Sequence, residues 1–196
     1  MTKTKIVLPL LIAAAVTLAA GTAVAVTAPS AATGTVNATV PVQSDDQVTQ
    51  CLTGQDVPNP GEWRAAAKID ADAPTGFLVI RTDKTAAVCV LENGKGTGLM
   101  GGYSKDLYGK LTPERPFSWF NAMNYEDHSV QFGITTPDVA TVSLIGPDGS
   151  ATPAVQPTDG TFIVKTPFAE NSNDPSTNKV RVTLRDGKVI EGPFRG

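Results

Sequence analysis

The chain has 196 residues and a formal net charge of −3, from 16 Lys and Arg against 19 Asp and Glu. That length holds one domain with appendages, and 18 glycines with 15 prolines favour turns and short strands over long helices. The basic residues are scattered and the balance is acidic, so the cationic footprint of a nucleic-acid-binding protein is missing.

Lys3 and Lys5 open the chain, and an uncharged run, IVLPLLIAAAVTLAAGTAVAV, fills residues 6–26. A secretory signal has a basic start, an apolar stretch and an A-x-A-like cleavage site, which Ala23-Val24-Ala25 matches. The run is also long enough to stay as a membrane anchor, since a spanning helix needs about 20 apolar residues. Its Leu and Ile stand before residue 13 and it fades into Ala, Val, Thr and Gly, the manner of a signal peptide approaching its cleavage region. Residues 1–26 are therefore expected to be a signal peptide or a membrane anchor, and the two lysines direct everything after them out of the cytoplasm in either case. Any membrane contact is expected through residues 6–26 alone. Residues 27–43, small, uncharged and without a helical period, read as a flexible tether.

Residues 44–194 are expected to form the exported domain. Ser44 and Gln47 have capping-box spacing, and Asp45 and Asp46 suit a first helical turn. Val48, Cys51 and Leu52 then share one helical face, before Gly54 and VPNPG end the helix. A strand is expected from about Trp63. GFLVIRT and AAVCVLEN flank a short DKT turn and read as a hairpin, with Asn93-Gly94 as the next turn. Cys51 and Cys89 are the only cysteines. An even count in an oxidising compartment predicts a disulfide between the helix and a strand of that hairpin, worth about 3–4 kcal/mol by chain entropy. Two cysteines and one histidine lack the paired spacing of a zinc site, and no metal or cofactor is expected.

After this helix-plus-hairpin segment (44–94) comes a glycine- and aromatic-rich stretch, 95–127, which reads as a long loop. Its rings and amides offer stacking surfaces and hydrogen bonds suited to a glycan or an envelope protein partner. The candidate binding residues are Tyr103, Tyr108, Trp119, Phe120, Asn121, Asn124 and Tyr125. The bland alternative is that the same rings cover one end of the sheet as a second small core. From 128 to 194 apolar and polar residues alternate between Asp148-Gly149, Asp159-Gly160 and Asp186-Gly187, each a hairpin signal. This reads as an antiparallel meander with one buried and one wet face.

The helix cysteine, the tryptophan a dozen residues on, the strand cysteine, VATVSLIGPDGSATPAVQPTDGTFIV and the closing VRVTLRDGKVI together resemble a set of uncharacterised exported β-rich proteins of high-GC Gram-positive bacteria. The resemblance spans residues 44–191 and implies an envelope location and a small β fold. It carries no catalytic residues.

Three motifs invite catalytic readings. In Glu126-Asp127-His128 only Glu126 and His128 share a strand face, and no G-x-S-x-G elbow accompanies them, so the expectation is a solvated strand start. Ser176-Thr177-Asn178-Lys179 matches S-x-x-K but lies between Pro175 and a strand rather than on a helical turn. GKGTGLMGG lacks the G-K-[ST] ending of a phosphate loop. The sequence thus predicts a mainly β fold, an antiparallel sandwich or twisted sheet with a short disulfide-clipped N-terminal helix. It is read as a secreted or membrane-anchored binding domain without catalytic residues. An extracytoplasmic enzyme built around 95–127 and a structural spacer are the alternatives.

Overall fold

The computed structural model describes residues 44–167 and 178–193. The apolar run at 6–26, the tether, the Ser44 side chain, and Ser176 and Thr177 of the S-x-x-K match lie outside them. The fold is mainly β. Helix α1 (Ser44–Leu52) precedes ten strands: β1 (Arg64–Ile69), β2 (Thr75–Arg81), β3 (Ala86–Glu92), β4 (Lys95–Tyr103), β5 (Phe117–Asn124), β6 (Ser129–Thr135), β7 (Val139–Ile145), β8 (Thr161–Thr166), β9 (Lys179–Leu184) and β10 (Val189–Pro193). They make three antiparallel sheets, ordered β1-β2-β3-β4, β5-β6-β8 and β10-β9-β7.

Burial shows how these elements stack. In β2 alternate residues point to opposite sides. Phe77 and Val79 join Val88, Val130, Phe132 and Ile134 in a core between the first two sheets, where the Phe77 and Phe132 rings meet edge-on at 5.3 Å. Leu78 and Ile80 point the other way and pack with Val48, Cys51, Trp63 and Leu91 beneath α1. A third core lies between the second and third sheets, built on Phe117, Val142, Leu144, Phe162, Val180 and Val182. The layers thus run helix, sheet, sheet, sheet.

The five strands after residue 128, β6 to β10, are not a meander. β7 leaves the second sheet for the third, β8 returns, and β9 and β10 join β7. The orders β5-β6-β8 and β10-β9-β7 make two three-stranded sheets that pack face to face, with consecutive strands crossing between them. Alternation identifies which residues face inward but not which sheet a strand joins. The wet face holds only in the outer sheet, where Lys179 and Arg181 are exposed while Val180 and Val182 are buried. In β6 every residue is buried. Most of its polar side is satisfied internally: Gln131 Nε2 donates to Ser129 Oγ at 2.8 Å, and Ser129 and Thr166 hydroxyls meet at 3.0 Å.

The 95–127 stretch is also not a loop. It contributes strands β4 and β5, with a 3-10 turn at Tyr108–Lys110 between them. Glycine in β4 is a packing device. A Cβ at Gly96 would stand 2.5 Å from the Gln47 carbonyl oxygen and 2.9 Å from the Cys51 nitrogen, so the bare backbone lets α1 lie directly on the strand. Gln47 does not close a capping box. It is buried, and its Nε2 donates to Gly94 O at 2.7 Å, while Gly96 N donates to Gln50 Oε1 at 2.8 Å.

The disulfide joins Cys51 on α1 to Cys89 on β3 across a Cα separation of 5.7 Å, both residues fully buried. Such a bond belongs to an oxidising, extracytoplasmic compartment. Cys89→Ala should lower the unfolding free energy by about 2–5 kcal/mol, read as a lower urea midpoint. Gly96→Ala should cost about 1–3 kcal/mol by overpacking with the disulfide intact. An unchanged midpoint in Gly96→Ala would show that α1 does not rest on β4.

Candidate functional site

The three sheets end together at one place, and a cleft of about 450 Å³ opens there. Its floor is set by Arg81, the last residue of β2 and nine-tenths buried. The guanidinium donates from Nε to Thr82 O at 2.9 Å and from Nη1 to Asp159 O at 2.7 Å, and it lies 4.1 Å over the Tyr108 ring. Tyr108 is placed by its backbone N–H on Lys84 O at 3.2 Å and by its hydroxyl, which donates to Gly160 O at 3.1 Å. Thr135 N donates to the same Gly160 carbonyl at 2.9 Å, so the Asp159-Gly160 turn binds β6 and Tyr108 together.

The charges of Arg81 and Asp159 are closed in a ring of ion pairs beside the cleft. Arg64 reaches Asp159 and Asp83, each at 2.8 Å, and Arg81 reaches the same two carboxylates at 3.5 and 3.8 Å. Two arginines and two aspartates form a neutral ring that ties the first sheet to the sandwich. The Arg64 and Asp83 contacts are exposed and individually weak. The buried Arg81 is different, because a buried guanidinium needs its partners to stay charged at tolerable cost.

The other walls come from the β6–β7 connection and the end of β9. Arg185 donates from its backbone to Asp138 O at 2.8 Å and from Nε to Pro137 O at 2.9 Å. Thr135 and Thr136 line the cleft, and both hydroxyl oxygens are buried without a hydrogen-bond partner. An unsatisfied buried hydroxyl costs about 1–3 kcal/mol. Leu111, Pro137, Val139 and Pro157 supply apolar surface. The arrangement is a small amphipathic cleft. Burial pushes the Tyr108 phenol up to about 12, against the opposing pull of Arg81.

The seven residues expected from the sequence are not brought together. Tyr108 alone lines this cleft. Tyr103 packs edge-on to Trp63 at 5.8 Å. Trp119 joins the sandwich core and donates from Nε1 to Gln131 Oε1 at 2.8 Å, whereas Phe120, next in the strand, packs in the core on the opposite side. Asn121 Nδ2 donates to Met100 O at 3.0 Å, tying β5 to β4. Asn124 is exposed at the end of β5, and Tyr125, 40% exposed, stacks on His128 at 4.5 Å. Trp119, Phe120 and Asn121 thus serve packing and inter-strand bonding. Arg81, Thr135, Thr136, Asp159 and Arg185 were missed. The one available signal was an arginine closing the apolar run GFLVIR, buried where arginine rarely is.

Glu126 and Asp127 are exposed and β6 begins after His128. The histidine pairs with Asp127, not Glu126, at 2.6 Å from Nδ1 to Oδ1. Among the described residues no three His, Cys, Asp or Glu side chains converge to hold a metal ion. Comparison with family models, curated proteins and solved structures finds no match. The fold and cleft define a class: a disulfide-clipped, layered β domain of three antiparallel sheets.

Two titrations test these contacts. The folded Tyr108 phenol holds its proton more tightly than an unfolded one, whose value is about 10. Its contribution is therefore complete below about pH 10 and lost as pH rises towards about 12. Tyr108→Phe should lose less stability than the wild type over that interval, and equal losses would contradict the buried phenol. The hydrogen bond from His128 holds the Asp127 carboxyl below its usual range. In His128→Ala the NMR titration of Asp127 should move upward, with the melting temperature nearly unchanged because both side chains lie at the surface.

Proposed function

We propose that the protein is an exported binding domain without catalytic chemistry, secreted or anchored to the membrane through residues 1–26 and spaced from it by 27–43. Its ligand or partner enters the cleft between Arg81, Tyr108 and Arg185. The observation that carries this reading is the pair of buried, unpartnered hydroxyls on Thr135 and Thr136 in the wall of a ligand-sized cleft. Native proteins rarely leave such donors idle. The disulfide supports export, as does the uncharged run behind two lysines. Binding is favoured over catalysis by the kinds of group present. Guanidinium and threonine side chains donate hydrogen bonds without exchanging protons near neutral pH, the raised Tyr108 phenol keeps its proton there too, and the Asp159 carboxylate is engaged with Arg64 and Arg81.

A reporter active only outside the cytoplasm, fused after Thr33, should be active. An inactive fusion would refute export. For the cleft, a photocrosslinking amino acid at Pro157 on its wall should capture a cell-surface adduct. The same group at Glu126, exposed in the turn at the opposite end of β6 from Thr135, should not. Equal adducts at both positions, or none at Pro157, would refute the cleft as the binding site.

A further inference from the structure

We infer that the cleft takes a monoanionic carboxylate carried on a compact apolar body, of the kind presented by the C-terminus of a peptide that ends in a small apolar residue. This rests on the reading of the cleft as a binding site and names its ligand class. The charge count points to one negative charge. Arg64, Arg81, Asp83 and Asp159 cancel within their ring. Arg185 stands outside it as a fifth charge on the cleft wall, and among the described residues no carboxylate forms an ion pair with it. Only its Nε is engaged, with Pro137 O at 2.9 Å. Its two terminal nitrogens are therefore available in the planar fork that matches a carboxylate.

The remaining walls select the rest of the ligand. The hydroxyls of Thr135 and Thr136 are donors without acceptors. Both hydroxyl oxygens are sealed from solvent behind the cleft wall, so a carboxylate held by Arg185 meets them once the threonine side chains turn outward, and its two oxygens with about four lone-pair sites suffice for one guanidinium and two hydroxyls. A phosphate dianion brings a second charge that nothing on this wall balances, with Asp159 in the same lining. A polyhydroxylated acid such as a uronic sugar would bury hydroxyls against Leu111, Val139 and Pro157, which offer no hydrogen bonds. An alkyl side chain fits those walls, and about 450 Å³ holds one or two residues but not a folded segment.

The test is an NMR titration of the protein purified from the exported fraction, following the backbone amides of Thr135, Thr136 and Gly160. Acetyl-Ala-Val with a free carboxylate should give saturable shifts at concentrations up to about 10 mM, the range for a small fragment. Its C-terminal amide should bind at least about tenfold more weakly, a difference of about 1.4 kcal/mol. Arg185→Gln should weaken the free acid by a similar factor, whereas Arg181→Gln, on the exposed face of β9, should not. Thr136→Val offers a second, isosteric check and should also weaken binding. If glucuronate or inorganic phosphate binds as tightly as the dipeptide, the ligand class is wrong. The carboxylate assignment also falls if the amide binds equally, if Arg185→Gln changes nothing, or if no probe moves the cleft amides. Crosslinking at Pro157 is independent of ligand class, so an adduct there with no carboxylate response would overturn this inference alone.

Discussion

Strand β6 has no side in contact with water, and the arrangement of the other layers follows from that constraint. Val130, Phe132 and Ile134 require an apolar cover, which β2 and β3 of the first sheet provide. On the reverse side Ser129, Gln131 and Thr135 are polar and Gly133 is bare. The bare position admits the Phe162 ring, which a Cβ at Gly133 would overlap. The polar positions must find partners within the protein. Ser129 and Gln131 do so through each other, Thr166 and Trp119. Thr135, at the end of the strand, has a hydroxyl without one. The same buried strand that organises the sandwich therefore carries an unsatisfied donor to the place where the cleft opens.

The helix shows a second dependence. A helix of nine residues is not stable in isolation. α1 is held by contacts that come from sequence positions about forty residues away: the disulfide, the Gln47 bond to Gly94, and the Gln50 bond from Gly96. The last two need close approach of helix and strand, which Gly96 permits. Covalent and non-covalent fastening act at the same spot, and the buried Leu78, Ile80 and Leu91 beneath them make it a core rather than a surface clip.

The cleft is a product of where the sheets stop. β2 and β6 bring Arg81 and Thr135, and the turn after β9 brings Arg185, to a common end, and the Asp159-Gly160 turn closes it by accepting hydrogen bonds from Arg81, Tyr108 and Thr135. Arg81 and Arg185 have different work. Arg81 is spent on carbonyls, on Tyr108 and on the ring of ion pairs, so it belongs to the scaffold. Arg185 touches the scaffold through Nε and the Pro137 carbonyl, and its charge is left facing the cleft.

Much of the local structure was legible in the sequence by itself. Period-2 alternation, Asp-Gly and Asn-Gly turns and the i, i+3, i+4 face of Val48, Cys51 and Leu52 are short-range signals, and they located α1, the β2–β3 hairpin, the disulfide and the strands after residue 128. Local signals stop at the strand. Whether β7 pairs with β6 or with β9 depends on long-range hydrogen bonds that alternation does not encode, so a sandwich looked like a meander. Glycine-rich β4 looked like a loop because composition reports backbone freedom and not the helix that needs the space. For Trp119 and Phe120 the sequence left a surface platform and a covering core both open, because aromatic content does not distinguish a ring facing solvent from two rings facing two different cores. The cleft was invisible for the same reason. Its residues are separated by up to about a hundred positions and meet only because three sheets end together, and that meeting is decided by tertiary packing.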